Sequence, residues 1–135
     1  EYRRQRQMCI RDRHHRTLAK PLCLLSGGET TVKVTGSGVG GPNAHFALAL
    51  LDALDGARGI SAIACDTDGV DGAAEIAGAV IDDQTLARMR DANLDLRDAL
   101  KRQDAHTFFQ TLGQSVIPGP TCTNVNDFRA ILIEP

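Results

Sequence analysis

Apolar and polar positions along the chain fall into short runs with abrupt ends. Leu22-Cys23-Leu24-Leu25 and Ile60-Ser61-Ala62-Ile63-Ala64-Cys65 are nearly continuous apolar runs bounded by turn residues, a pattern that predicts buried strands. Thr30-Thr31-Val32-Lys33-Val34-Thr35 alternates instead, as a strand with one wet face does. With Ser26-Gly27-Gly28 as a turn, it predicts an antiparallel pairing with the first run. Between residues 43 and 54 nearly every position is apolar. That predicts a buried helix, opened by Pro42 at its first position and closed by Asp55-Gly56. Residues 73–79 predict a short helical turn, weakened by Gly78. Helices are expected over residues 84–92, with Asn93 as a cap, and over 96–101. Another is expected over 105–112, with Asp104 as its N-cap and Phe108 and Phe109 as anchors. Residues 115–117 and 128–133 read as extended, the latter closing the sheet. The sum is an α/β domain, a mixed sheet flanked by helices.

Length and composition narrow this picture. The 135 residues suffice for one domain with a real core, and the scarcity of aromatics makes that core aliphatic. Residues 1–20 carry a net charge of +5 and the rest −7. The acidic body argues against nucleic acid as a partner. No apolar run is long enough to span a bilayer, and no signal-peptide pattern opens the chain. Cys9, Cys23, Cys65 and Cys122 form no CxxC pair and have no histidine at metal-site spacing. This predicts free thiols in a reducing, cytoplasmic setting, with Cys23 and Cys65 acting as small hydrophobes. Residues 1–20 lack apolar periodicity, and Gln7-Met8-Cys9-Ile10-Arg11-Asp12-Arg13 looks like translated sequencing-adaptor read-through. The basic segment 1–20 is therefore expected to be non-native or disordered, and residues 21–135 to be the domain.

The candidate chemistry gathers where the second apolar run ends, at Asp66-Thr67-Asp68-Gly69-Val70-Asp71-Gly72. A strand that runs into three carboxylates puts Asp66, Asp68 and Asp71 at a sheet edge. Such crowding needs a cation or hydrogen-bond donors to offset it. Solvated carboxylates in Asx-turns are the plainer reading. Gly36-Ser37-Gly38-Val39-Gly40-Gly41 precedes the long helix, so its amides and the helix N-terminus could face an anion; a flexible connector is the alternative. His45, in the first helical turn, is the better functional histidine, and His106 reads as a surface or capping residue. Thr121-Cys122-Thr123-Asn124-Val125-Asn126-Asp127 offers donors and acceptors for a polyol or carboxylate, or else only a Pro/Asn-rich turn. Gly36-x-Gly38-x-x-Gly41 also matches the dinucleotide fingerprint. It fits poorly, because the strand before it alternates and Asp66 lies too far on. Asp66-Thr67-Asp68-Gly69 imitates the opening of haloacid-dehalogenase-like phosphatases, but the residues after Gly69 do not continue that motif.

Three blocks taken together point elsewhere: Ser26-Gly27-Gly28-Glu29-Thr30-Thr31, Asp66 through Gly72, and Gly119-Pro120 through Asp127. In this order, with the Gly-rich loop and apolar helix between them, they resemble the MOFRL domain, the carboxyl-terminal part of bacterial glycerate 2-kinases. Members have often been labelled hydroxypyruvate reductases. The resemblance implies one domain of a larger two-domain enzyme that faces an amino-terminal nucleotide-binding domain across a cleft. It implies ATP-dependent phosphorylation of D-glycerate at its 2-hydroxyl, with Mg²⁺, and inactivity without the other domain. Asp66 and Asp68 are then expected to be catalytic and to hold Mg²⁺. Gly27, Gly28, Glu29, Gly40, Gly41, Asn43, Asp71, Asn124, Asn126 and Asp127 are expected to bind substrate or phosphate. A nicotinamide-dependent reductase and a non-catalytic closure module are the competing readings. Two departures stand out: Pro42-Asn43-Ala44-His45 where many members have Arg-Asn-Gln-Glu, and Cys122 where Gly is common.

Overall fold

The structure, a computed structural model, describes residues 19–135. Cys9, the adaptor-like run and almost all of the basic segment assigned to residues 1–20 lie outside the described residues. The order of elements is β1 (Leu22–Gly28), α1 (Pro42–Leu54), β2 (Ile60–Asp66), β3 (Gly78–Ile81), α2 (Thr85–Asp91), α3 (Leu96–Arg102), α4 (Ala105–Thr111), β4 (Ser115–Val116) and β5 (Asp127–Ile133). The five strands form one sheet in the order β1-β5-β2-β3-β4. Helices and a sheet make the expected α/β layers. The sheet itself is not mixed, because every pairing in it is antiparallel.

Three expectations about local structure are corrected. The Ser26-Gly27-Gly28 turn is the end of β1, which pairs with β5 rather than with residues 30–35. Those residues form no strand, although they alternate. Instead they are tied to the α3–α4 corner: the Gln103 side chain accepts from the Thr35 and Gly36 amides and donates to the Lys33 carbonyl. Residues 73–79 form no helical turn. The Asp71 amide donates to the Ile76 carbonyl at 2.7 Å, and the chain folds back into β3. Gly78 is needed there, because a Cβ would lie 1.9 Å from the Ala64 carbonyl oxygen across the ladder.

The core sits on one face of the sheet. Ala44, Ala47, Leu48 and Leu51 of α1 pack on Ala64, Ala79 and Ile81 of β2 and β3. That stripe recurs every three or four residues, as a helix laid against a sheet requires. Phe108 and Phe109 are buried, with rings edge to face at 5.2 Å. The Asp95 side chain caps α3 by accepting from the Arg97 and Asp98 amides. Asp104 occupies the N-cap position of α4, but its carboxylate serves others: it accepts from the Val39 amide and the Thr107 hydroxyl and pairs with Arg102 at 3.0 Å. Asn93 ends α2 in the left-handed region. Cys23 is exposed rather than buried, because it points to the sheet face that the helices leave open.

Candidate functional site

Antiparallel pairing decides which residues meet. β1 ends, β5 begins and β2 ends on the same edge of the sheet. Gly28 is therefore the register partner of Asp127, and Asp127 is the partner of Asp66. Residues from all three sequence blocks share one row, although 99 positions separate the first from the last. The edge carries two adjoining clusters, one buried and one open.

The buried cluster is built on Asp71 and Asp127. Asp71 is 1% exposed, and its carboxylate accepts from the Asn43 amide at 2.9 Å and the Ala44 amide at 2.8 Å. These are the first free amides of α1, so the helix N-terminus expected to face an anion is capped by a carboxylate of the chain itself. The Asn43 side chain bridges onward to Asp127 Oδ1 at 2.7 Å. Asp127 Oδ2 takes hydrogen bonds from the Thr30 hydroxyl and the Arg129 guanidinium, which also meets Thr30 and lies 5.2 Å over the Phe46 ring. His106 is buried rather than at the surface, with Nε2 3.0 Å from the Asp71 carbonyl oxygen. The glycines of the preceding loop serve this packing. A Cβ on Gly41 would lie 2.4 Å from the Asp71 carboxyl carbon, and one on Gly40 would lie 2.7 Å from the Gln103 carbonyl oxygen.

The open cluster is built on Asp66 and Asp68. Asp66 Oδ1 accepts from the Asp68 amide and Asp68 Oδ1 from the Val70 amide, two successive Asx-turns. Thr67 ties this turn to the last block. Its amide and hydroxyl donate to the Asn126 carbonyl, and the Val125 amide donates to its hydroxyl. Thr121 donates to the Thr67 carbonyl at 2.6 Å. Asn124 Nδ2 reaches Asp68 Oδ2 at 3.4 Å, while its own oxygen accepts from the Asn126 amide. Asp66, Asp68, Asn124 and Asp127 are thus brought to one edge. Asn126 contributes backbone, with φ 65°, rather than a recorded side-chain contact. Glu29 is exposed just past β1, and His45 is half-buried on α1 with no partner for Nδ1. Sequence reasoning missed Thr30 and Arg129 as members of the edge. Arg129 stands two residues after Asp127 on one strand, so period-two spacing put both on the same face.

Three of the edge carboxylates are shifted, and not all in one direction. Burial pushes Asp66 up, and proton sharing with and repulsion from Asp68 add to this against the Asp68 amide. Burial also raises Asp71, beyond what its amide donors offset. Burial would raise Asp127 too, but Thr30, Asn43 and Arg129 together hold it below the usual carboxylate range. A depressed folded value means that ionised Asp127 stabilises the fold above the unfolded carboxylate pKa of about 4 and that this contribution is lost as pH falls through the lower folded value. Asp127→Asn should therefore flatten the acid limb of a stability titration below about pH 4. An acid limb identical to that of the parent chain would remove Asp127 from it. Among the described residues, no group of three or more His, Cys, Asp or Glu is arranged to hold a metal. Asp66 and Asp68 are the residues that could hold a Mg²⁺ ion, which commonly uses only one or two carboxylates and takes its other oxygens from water and phosphate. Mutual repulsion of the pair is what a cation would relieve. No helix among the described residues is long and apolar enough to cross a membrane.

Known proteins resemble this chain in sequence and fold. A protein of Agrobacterium vitis, provisionally labelled a hydroxypyruvate reductase, is 52% identical over 118 residues, covering 86% of this chain and 27% of its own length. The D-glycerate 2-kinase of Thermotoga maritima is 40% identical, covering 87% of this chain and 28% of its own. The crystal structure of the Thermotoga maritima glycerate kinase superposes with a TM-score of 0.83 at 36% identity, over 97% of this chain and 32% of that one. The chain thus spans less than a third of the length of each. The MOFRL family model matches residues 22–127, a span that contains β1, the capped helix, the Asp66–Asp71 turn and Asp127. On that match and on the shared fold, the chain belongs to the MOFRL family.

Proposed function

We propose that residues 21–135 work as one wall of the active site of a glycerate 2-kinase, within a longer polypeptide whose other domain binds ATP. The product would be 2-phosphoglycerate. The observation that carries this reading is the shared row of Gly28, Asp127 and Asp66, with Asp68 and Asn124 beside it. Phosphoryl transfer needs neutralised charge and an aligned hydroxyl more than covalent chemistry. Asp66 and Asp68 would orient the glycerate 2-hydroxyl and hold Mg²⁺, which when bound supplies charge neutralisation at the phosphates. Asn124 would contact the substrate from the facing loop, and the backbone of Gly27 and Gly28 would border the same edge. Asp71, Asn43, Asp127, Gly40 and Gly41 would act from behind, holding the edge and α1 in place rather than meeting phosphate.

A reductase reading has one observation in its favour, the label carried by the Agrobacterium vitis relatives. The Gly36–Gly41 loop speaks against it, because these glycines pack on the α3–α4 corner and on Asp71, and β5 is inserted between β1 and the strand that follows the helix, so the two never pair as a parallel unit. A coupled assay separates the two. The longer polypeptide should consume ATP with D-glycerate and leave nicotinamide absorbance unchanged with hydroxypyruvate. The 135-residue chain alone should do neither. Hydride transfer without ATP would overturn the kinase reading, and phosphorylation by the chain alone would overturn the need for a second domain.

A further inference from the structure

Alternation along the strands splits the sheet into two faces. Ala62, Ala64, Ala79, Ile81 and Arg129 point to α1, and all four helices place side chains in the core on that side. The opposite face carries Cys23 and Leu25 of β1, Phe128 and Leu132 of β5, Ile63 of β2 and Val80 of β3. Leu25 is 66% exposed, and Cys23, Phe128 and Leu132 are exposed beside it. A groove of about 330 Å³ runs along this face between β3 and β5. Antiparallel sheets that work with one face in water read apolar-in and polar-out. These strands do not: of the residues that line the groove, only Ser61 and, just past the end of β3, Asp82 are polar. Nearly continuous apolar runs belong to strands covered on both faces.

We propose that this second face is an internal interface, covered by an apolar layer from the remainder of the longer polypeptide. The inference rests on the reading that the segment works within such a polypeptide. A second copy of the chain is the less suited occupant. The same sheet occurs, at a TM-score of 0.83, in a Thermotoga maritima chain of which it makes up only 32%. In that chain more than twice the length of the matched segment is covalently attached to it, at an effective concentration no free copy matches.

Cys23 lies on the face and reports on it directly. In the folded longer polypeptide, alkylation of Cys23 by iodoacetamide, resolved by peptide mass, should be at least roughly ten-fold slower than in the same polypeptide unfolded in urea. In the 135-residue chain it should be as fast as in urea at every protein concentration. Leu25→Asp, well away from the acidic edge, should restore fast labelling in the longer polypeptide. Fast labelling of Cys23 in the folded longer polypeptide would overturn the inference. Protection that grows with concentration in the 135-residue chain would also overturn it, in favour of self-association. An actively phosphorylating polypeptide with freely reacting Cys23 would sink this inference alone, whereas a protected Cys23 without phosphorylation would sink only the kinase reading.

Discussion

Asp71→Ala is expected to lower the stability of the domain by about 3 kcal/mol, a large share of what a domain of this size commands. The carboxylate is fully enclosed and meets the first two amides of α1. Removing it leaves those two amides without an acceptor, while the Asn43 side chain keeps Asp127, and an orphaned buried donor costs about 1–3 kcal/mol. Part of that is returned, because burial already holds Asp71 above its ordinary pKa and its ionised form is costly to keep there. The returned part is the smaller, since two backbone donors and the helix dipole point at the carboxylate. Asp71→Asn tests this ranking with almost no change in volume. Its amide group would set a donor against at least one helix amide, so it should lose nearly as much as the alanine variant. Urea midpoints of the two variants and the parent decide the matter. If Asp71→Asn matched the parent while Asp71→Ala fell, packing volume rather than capping would be the cause.

What could be read ahead of the structure was whatever depended on local pattern. The run ending in Asp66 does form the central part of the sheet, and the apolar stretch after Pro42 is the helix that the core is built on. What could not be read was whatever depended on strand order. The Thr30–Thr35 alternation has the right period, but the strand it would have paired with already has β5 as its partner. The outer edge of β1 carries no further strand among the described residues, and the segment is held off it by its bonds to the Gln103 side chain. The Gly-rich loop carried a signal for close backbone approach, and the approach is real. Its object is the α3–α4 corner and Asp71. His106 gave no sign of burial, since a single histidine near a helix start is most often wet. Its place is fixed by the Asp71 carbonyl, 35 positions away. The three blocks do meet at one edge of the sheet, whereas the division between a buried Asp71 and an open Asp66 could be seen only in the folded chain.

That division yields the second large effect. Asp66→Asn in the longer polypeptide is expected to cut the turnover of glycerate phosphorylation by about 10³-fold, the scale seen when one preorganised electrostatic group is removed from a site. The same substitution should not weaken the fold. The Asn carbonyl can still accept from the Asp68 amide, so the Asx-turn survives. Burial and the neighbouring Asp68 hold Asp66 above its ordinary pKa, which means that the ionised carboxylate is a cost to the folded state. Stability that Asp66 withholds in its charged form should return when the charge is removed, and the urea midpoint should hold or rise. Lost turnover with a steady or higher midpoint is the signature of a group kept for its chemistry at the expense of stability. Asp71→Ala should lose its midpoint first, with any activity following. Unchanged kinetics in Asp66→Asn would remove this carboxylate from the reaction, and lost turnover with an equally lowered midpoint would make Asp66 a support for the turn rather than a partner of the substrate.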